Sequence, residues 1–104
     1  MGENMRFGEA LAHARKGKKI ARRGWNGKGM YVYMIPGRII PLDRWQAILP
    51  TEKPTEEEKK RGYIVILSRL DMMNAQGERV VGWLASQMDM LIDDWYVVDD
   101  EEVE

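Results

Sequence analysis

The stretch that decides the fold is KKIARRGWNGKGMYVYMI, residues 18–35. Residues 18–23 predict a short strand in which Ile20 points inward. The Asn-Gly pair at 26–27 is the strongest short-range hairpin signal, and it lies in a glycine-rich turn, residues 24–29. Residues 30–35 are rich in aromatic and β-branched side chains, which predicts the returning strand. We therefore expect a β-hairpin whose turn carries Trp25.

The residues before this hairpin have the periodicity of an amphipathic helix. Four apolar residues recur at helical spacing: Phe7, Ala10, Leu11 and Ala14. Gly17 follows them, where a left-handed C-terminal cap is expected. A helix of about ten residues does not persist alone in water, so it must pack on the sheet.

The residues after the hairpin predict further short elements. Strands are expected at 39–42, 63–70, 79–83 and 94–98, with one helical turn at 45–49. Residues 51–62 are expected to be a polar surface loop, although Thr55 and Glu58 have capping-box spacing. Ser86 caps a short helix, with Asp89 three positions on. The fold class is therefore α+β: an N-terminal helix packed on a mainly antiparallel sheet of about five strands, with a short C-terminal helix before the last strand.

Length and composition limit the kind of protein. The chain has 104 residues, 44% hydrophobic and 32% charged, the balance of a soluble globular domain. We expect one domain, residues 1–98, followed by an acidic tail, residues 99–104. The absence of cysteine excludes disulfides and thiolate metal sites and fits a reducing compartment. No apolar run is long enough to span a membrane, and the N-terminus lacks a signal-peptide pattern.

The net charge of −1 hides two oppositely charged halves. Residues 1–44 carry ten cations and three acids, whereas residues 45–104 carry six cations and fourteen acids. Seven cations and no acid fall within residues 15–28, a cluster that attracts phosphates or pairs with the acidic half of another subunit. A sequence pI near 5.9 is untypical of a duplex-DNA binder, so no DNA partner is expected.

The residue inventory argues against catalysis. His13, the single histidine, is expected on the exposed side of the first helix. The sequence therefore has almost no residues that could form a histidine-based triad or a transition-metal site. Four carboxylates are candidates for acid–base work: Asp71, Asp89, Asp93 and Asp94. Asp93 and Asp94 are adjacent and point apart, and Asp89 already has a capping role.

Binding has better support in the tryptophans. A large aromatic side chain on a turn between cations suits stacking on a nucleobase, with the cations near phosphates. Trp25 fits that description, but it could equally fold back as a lid on the small core. Trp83 precedes the capped helix start at Ser86, where backbone N–H groups can contact a ligand. Trp95, in the last strand, is expected in the core.

Motifs near both ends of the chain carry a family resemblance. At the N-terminal end they are FGEAL (7–11), GKKIAR (17–22) and GWNGKGM (24–30). At the C-terminal end they are GWLASQ (82–87), DML (89–91) and DW (94–95). Together these motifs resemble the small phage Thoeris anti-defence proteins. Gly82 stands where that family usually has proline, and residues 36–62 match nothing in its pattern.

The resemblance implies a non-enzymatic protein without a cofactor. Such proteins bind a cyclic ADP-ribose isomer made by bacterial TIR-domain proteins and hold it intact, which blocks Thoeris defence in the infected cell's cytoplasm. The resemblance also implies a homotetramer with pockets at subunit interfaces, and in some members binding of cyclic dinucleotides. Two other classes stay open: a protein that binds a host protein through its charged halves, and a hydrolase that cleaves the nucleotide.

The matched positions imply four sets of ligand contacts. Stacking on adenine is assigned to Trp25, in a turn shaped by Asn26 and Gly27. Ribose hydroxyls or phosphate-adjacent groups are assigned to Ser86, Gln87 and Asp89 of the C-terminal motif, and Trp83 of the same motif is also expected to contact the ligand. Phosphates are assigned to Arg22, Arg23 and Lys28, and a further polar contact to Asn74.

Overall fold

The computed structural model describes residues 4–99 and confirms the α+β class. Its helices are α1 (Phe7–Ala14), α2 (Leu42–Ile48), α3 (Glu56–Arg61) and α4 (Gln87–Leu91). Its strands are β1 (Lys19–Arg22), β2 (Tyr31–Ile35), β3 (Arg38–Pro41), β4 (Tyr63–Ile66), β5 (Arg69–Met73), β6 (Arg79–Val80) and β7 (Trp95–Val98). Within the described residues, no helix is both long and apolar enough to cross a membrane.

The main sheet is antiparallel, with strand order β6-β5-β2-β1-β7. The predicted hairpin forms its centre, with Ile20 opposite Val32 and Val32 opposite Met72. These side chains share one face of the sheet, because paired residues in neighbouring strands point to the same side. The helix α1 covers this face with Ala10 and Ala14, whose small side chains allow close approach.

The described chain separates into two compact units. Unit 1 comprises residues 4–35 and 69–99 and contains the five-stranded sheet with its core. Unit 2, Pro36–Ser68, contains a second sheet of β3 and β4, in which the paired residues Ile40 and Ile64 are buried. The sequence analysis had not predicted this division, although residues 36–62, which the family motifs leave unmatched, lie in unit 2.

The prediction of one strand over residues 63–70 is wrong. That segment forms β4 and β5, which belong to different sheets. The β2–β5 ladder stops at the pair Ile35 and Arg69, and the β3–β4 ladder begins at Arg38 and Ile66. Pro36 lies between the ladders and has no N–H to donate, which interrupts the pairing.

The sequence predicted a polar surface loop over residues 51–62, but the structure shows that part of this segment is helical. It contains α3, whose N-cap Thr55 forms a capping box with Glu58. Gly62 ends the helix in the left-handed conformation, at φ +91°. The helix at residues 42–48 is also longer than the single predicted turn. Of the predicted acidic tail, only Asp99 lies within the described residues.

Candidate functional site

Three tryptophans of unit 1 form a cluster of edge-to-face contacts, here called the indole cluster: Trp25, Trp83 and Trp95. The ring centroids of Trp25 lie 6.2 Å from Trp83 and 5.4 Å from Trp95, and the other pair is 6.3 Å apart. Trp95 is fully buried, as predicted, and its indole N–H donates to the Asp89 carbonyl at 2.7 Å. Such contacts hold each ring in a defined orientation.

Trp25 both packs on the core and borders a cavity, so its role as a core lid is seen while base stacking stays a prediction. Its ring is half-buried against the core, so it covers part of the core as a lid would. It also lines a cavity of about 360 Å³, the turn cavity, formed around the β1–β2 turn. One side of the indole is therefore fixed by the core while the other borders a space that could hold a ligand.

Arg22, which lines this cavity, is held between two carboxylates. Its Nη1 donates to Asp89 Oδ1 at 2.7 Å and its Nε donates to Asp94 Oδ1 at 2.9 Å. The Arg22 side chain is 10% exposed. The other oxygen of Asp94 accepts the Gly24 N–H at 2.9 Å, which attaches the hairpin turn to the end of the α4–β7 segment. Arg22 thus stabilises the turn, and its charge is already compensated.

Hydrogen bonding sets the protonation states in this group. The hydrogen bond to Asp94 raises the pKa of the Arg22 guanidinium. Burial lowers this pKa, and the hydrogen bond to Asp89 raises it further, so that it lies above its ordinary value. Burial raises the pKa of Asp89, but hydrogen bonds from the Ser86 backbone, Arg22, the Ser86 hydroxyl and Trp25 lower it by more in sum. The Asp89 pKa therefore lies below its ordinary value, and the carboxylate is ionised at neutral pH.

Asp89 and Ser86 form the predicted capping box at the start of α4. Asp89 Oδ2 accepts the Ser86 N–H, and Ser86 Oγ accepts the Asp89 N–H, both at 3.0 Å. Asp89 Oδ1 also accepts the indole N–H of Trp25 at 3.4 Å. The Asp89 carboxylate, 8% exposed as a residue, is thus engaged by the protein, and its contact with a ribose stays a prediction.

The turn cavity brings together five of the predicted site residues with three that the sequence did not single out. The predicted ones are Arg22, Arg23, Trp25, Gly27 and Lys28, and the others are Gly29, Met30 and Tyr96. Tyr96 lies in β7, far along the chain, with the Arg23 guanidinium 4.3 Å from its ring centroid. Only the β1–β7 pairing, which sets Tyr96 opposite Ala21, reveals it as a site residue.

A second cavity, of about 240 Å³, adjoins the first and is here called the Asn74 cavity. It is lined by Lys28, Gly29, Tyr31, Met73, Asn74, Ala75 and Gly77. The Asn74 Oδ1 accepts the N–H groups of Gln76 and Glu78, so this amide also shapes its own turn. Because Lys28 and Gly29 line both cavities, one extended ligand could occupy the two together.

Gly27 has a steric reason to be glycine. A Cβ at this position would overlap the side chain of Ala75 and come within 2.9 Å of Met30 Sδ. The hairpin turn thus packs directly against the neighbouring turn. Three predicted residues, Asn26, Ser86 and Gln87, are exposed and line neither cavity.

Two further observations concern the surroundings of the site. A third cavity, of about 370 Å³, lies where Lys16, Lys18 and Lys19 meet residues 97–99, and it contains none of the predicted site residues. Within residues 4–99, no three His, Cys, Asp or Glu side chains lie together as a metal site would require.

The fold and its cavities define a small α+β protein with an aromatic, cation-lined site at a hairpin turn. Residues 5–98 match the family described as the Thoeris anti-defense 2-like domain. The protein "Thoeris anti-defense 2" of Bacillus phage SP01 is 29% identical over 98 residues, which cover 94% of this chain and 99% of the relative. The chain belongs to the Thoeris anti-defense 2-like family, and the resemblance seen in its terminal motifs is confirmed.

Proposed function

We propose that this protein blocks Thoeris defence by sequestering a cyclic ADP-ribose isomer made by a TIR-domain protein, without converting it, in the cytoplasm of the infected bacterium. The family membership supports the anti-defence role. The observation that carries the ligand class is the pair of adjoining cavities that share Lys28. A flat base can occupy the side lined by Trp25 while the phosphates lie near Lys28.

The charges around the turn cavity support this arrangement. Arg22 is paired with Asp89 and Asp94, so this group of three carries a net negative charge. We therefore expect the phosphates to contact the exposed side chains of Lys28 and Arg23 instead of Arg22. Arg23 also has protein contacts, since its Nε donates to Asn4 Oδ1 at 2.6 Å. Tyr96 and Trp25 offer aromatic surface at the same cavity, whose volume falls within the usual range for small-molecule sites.

The lining of the cavities favours binding over cleavage. Among the described residues, those that line the turn and Asn74 cavities include no carboxylate and no imidazole. Cleaving a glycosidic or phosphate bond at neutral pH normally needs such a general acid or base. A protein that acts by affinity alone must bind a scarce signal tightly. We therefore expect a nanomolar Kd, which corresponds to a standard binding free energy of roughly −12 kcal/mol.

A homotetramer is part of the proposal. In unit 1, the α4 segment, here residues 81–91, exposes five apolar side chains: Val81, Leu84, Met88, Met90 and Leu91. Leu84 is 88% exposed and Leu91 77%, which is unfavourable unless another molecule covers them. Ser86 and Gln87 lie in this segment, so a second copy that packs here would bring them to a pocket at the subunit interface. Light scattering tests this: Leu84→Asp should reduce the mass, whereas Leu67→Asp, at an exposed leucine of unit 2, should not.

Release of the bound molecule tests the function itself. The protein is incubated with the cyclic ADP-ribose isomer, washed, denatured by heat, and the released compound is analysed. Intact nucleotide supports sequestration, and altered nucleotide means that the protein is an enzyme. No retained nucleotide favours a protein that binds a host protein. A parallel incubation with a cyclic dinucleotide tests whether that class of ligand is also bound.

A further inference from the structure

The chain leaves the main sheet abruptly after β6. In the β5–β6 ladder, Met73 pairs with Arg79 and Met72 with Val80, so the next pair would join Asp71 to Val81. The strand ends at Val80 instead. The Gly82 N–H donates to the Asp71 side chain at 2.8 Å, so a carboxylate oxygen replaces a backbone carbonyl as the acceptor.

Asp71 is buried, at 3% exposure, and each of its oxygens has a partner. Oδ1 accepts from Gly82 and from Arg69 Nε at 2.9 Å, and Oδ2 accepts from Arg69 Nη2 at 3.2 Å. Burial raises the pKa of Asp71, while the Arg69 and Gly82 hydrogen bonds lower it to below its ordinary value. A charged group at this depth is unfavourable unless its hydrogen bonds are made, which ties the Gly82 amide firmly to β5.

The geometry of the next residue follows from this bond. Gly82 has φ +81°, a left-handed conformation that turns the chain sharply. The Trp83 N–H then donates to the Leu70 carbonyl at 2.7 Å. Two successive amides are thus held by two neighbouring residues of β5. The Trp83 side chain consequently enters the indole cluster, where its edge contacts fix Trp25 from one side.

We propose that Asp71 is a positioning residue for the nucleotide site, acting through Gly82 and Trp83 on Trp25. This inference rests on the proposed function, because Trp25 is the aromatic side chain of the turn cavity. Asp71 itself touches no ligand in this arrangement and lines neither the turn cavity nor the Asn74 cavity.

The required property of residue 71 is a short side-chain acceptor, not a charge. Asparagine keeps an Oδ1 that can accept the Gly82 N–H. Its amide nitrogen would face Arg69 Nη2 unfavourably, but the Arg69 side chain is 42% exposed and can turn into solvent. Alanine removes the acceptor and leaves the Gly82 amide unpaired beside a buried gap. The two substitutions therefore separate positioning from ion pairing.

Three variants test the proposal: Asp71→Asn, Asp71→Ala and Arg69→Gln. One readout is the near-UV circular dichroism of the tryptophans, which reports their fixed mutual packing without ligand. The other is the Kd for the cyclic ADP-ribose isomer. Asp71→Ala should lose most of the near-UV signal and raise the Kd about tenfold. Asp71→Asn and Arg69→Gln should keep the signal and bind within about threefold of the unchanged protein, even if they melt earlier.

Each outcome of these experiments supports or overturns the proposal. If Asp71→Ala melts earlier but keeps the near-UV signal and the Kd, Asp71 only stabilises the fold and the proposal is wrong. If Asp71→Asn or Arg69→Gln loses the signal, the ion pair matters instead of the acceptor, which also overturns it. Should Asp71→Ala fail to fold, the other two variants still have to retain signal and affinity. If the unchanged protein binds no nucleotide, the proposed function fails, while the near-UV result still tests the Asp71–Gly82–Trp83 arrangement.

Discussion

Unit 1 and unit 2 bury their apolar residues very differently. Unit 1 has a core in which Ile20, Val32 and Trp95 are fully buried, with α1 above it and the indole cluster at one end. In unit 2, Ile40 and Ile64 are the buried apolar residues among those described, while the paired Ile39 and Val65 are exposed. A two-stranded sheet with so little burial is only marginally stable by itself.

The polar side chains follow the same division. The buried carboxylates Asp71 and Asp89 belong to unit 1, and each bonds to an arginine and to a backbone amide. The described ion pair of unit 2, between Lys59 and Glu56, is exposed and contributes little. Unit 1 therefore has the rigidity that a binding site needs, and the turn and Asn74 cavities lie within it.

The largest effect is expected from Trp95→Ala. This change removes a fully buried indole and its hydrogen bond to the Asp89 carbonyl, so it should cost about 3–5 kcal/mol of unfolding free energy. Ile64→Ala in unit 2 is the counterpart. It should leave the nucleotide Kd unchanged and accelerate amide exchange mainly within residues 36–68. Urea unfolding measures the stability of both variants, hydrogen exchange locates the loss, and a ligand titration gives the Kd. If Ile64→Ala weakened ligand binding as much as Trp95→Ala does, the division between units would be contradicted.

Acid should weaken unit 1 through its buried carboxylates. The pKa of Asp89 lies below its ordinary value of 3.8, because its hydrogen bonds together outweigh burial. Its contribution to stability is therefore complete above that value and is lost as the pH falls through the folded-state pKa. Asp89→Asn should be less stable at pH 7 and lose less stability between pH 5 and pH 2. Asp93→Asn makes the same substitution at an exposed neighbouring position and is the control for removing one carboxylate.

Trp25→Ala should affect affinity more than stability. Base stacking on an aromatic ring typically contributes about 1–3 kcal/mol, so the Kd should rise about tenfold to a hundredfold. Because the ring is half-buried against Trp83 and Trp95, the melting temperature should also fall, though less than in Trp95→Ala. Calorimetric titration and thermal unfolding without ligand give the two values. If the Kd is unchanged while the melting temperature falls sharply, Trp25 is a core residue and has no stacking role.

Local sequence signals predicted much of unit 1 correctly. The β1–β2 hairpin and the Ser86–Asp89 capping box depend on residues close together in the chain, and both form. Within the turn, however, the positive φ falls at Gly29 and not at the Asn26–Gly27 pair that predicted it. Trp95 was correctly placed in the core. The splitting of residues 63–70 was missed because it depends on which strands they pair with, and periodicity alone carries no such information.

The lining of the turn cavity was predictable only where its residues are contiguous. The turn residues from Arg22 to Lys28 are neighbours in sequence, and five of them line one cavity. Neither the place of Tyr96 in the cavity lining nor the pairing of Arg22 with two carboxylates was predicted, because the partners of both residues lie far away in the chain. The bond from Arg22 to Asp94 joins residues 72 positions apart, and no spacing pattern reveals it.

The smallest effect is expected from removing a single exposed cation. Lys28 borders both cavities, so Lys28→Ala should weaken nucleotide binding by about fivefold to tenfold and reduce its salt dependence. Lys53→Ala makes the same change in charge at an exposed position of unit 2. The Debye length is about 8 Å at physiological ionic strength, so more distant charges are largely screened, and Lys53→Ala is the control for the loss of one net charge. Titrations of both variants at two salt concentrations separate the cases. An equal loss of affinity in both variants would mean that net charge attracts the ligand. A loss of affinity confined to Lys28→Ala would place the phosphates at the shared edge of the two cavities.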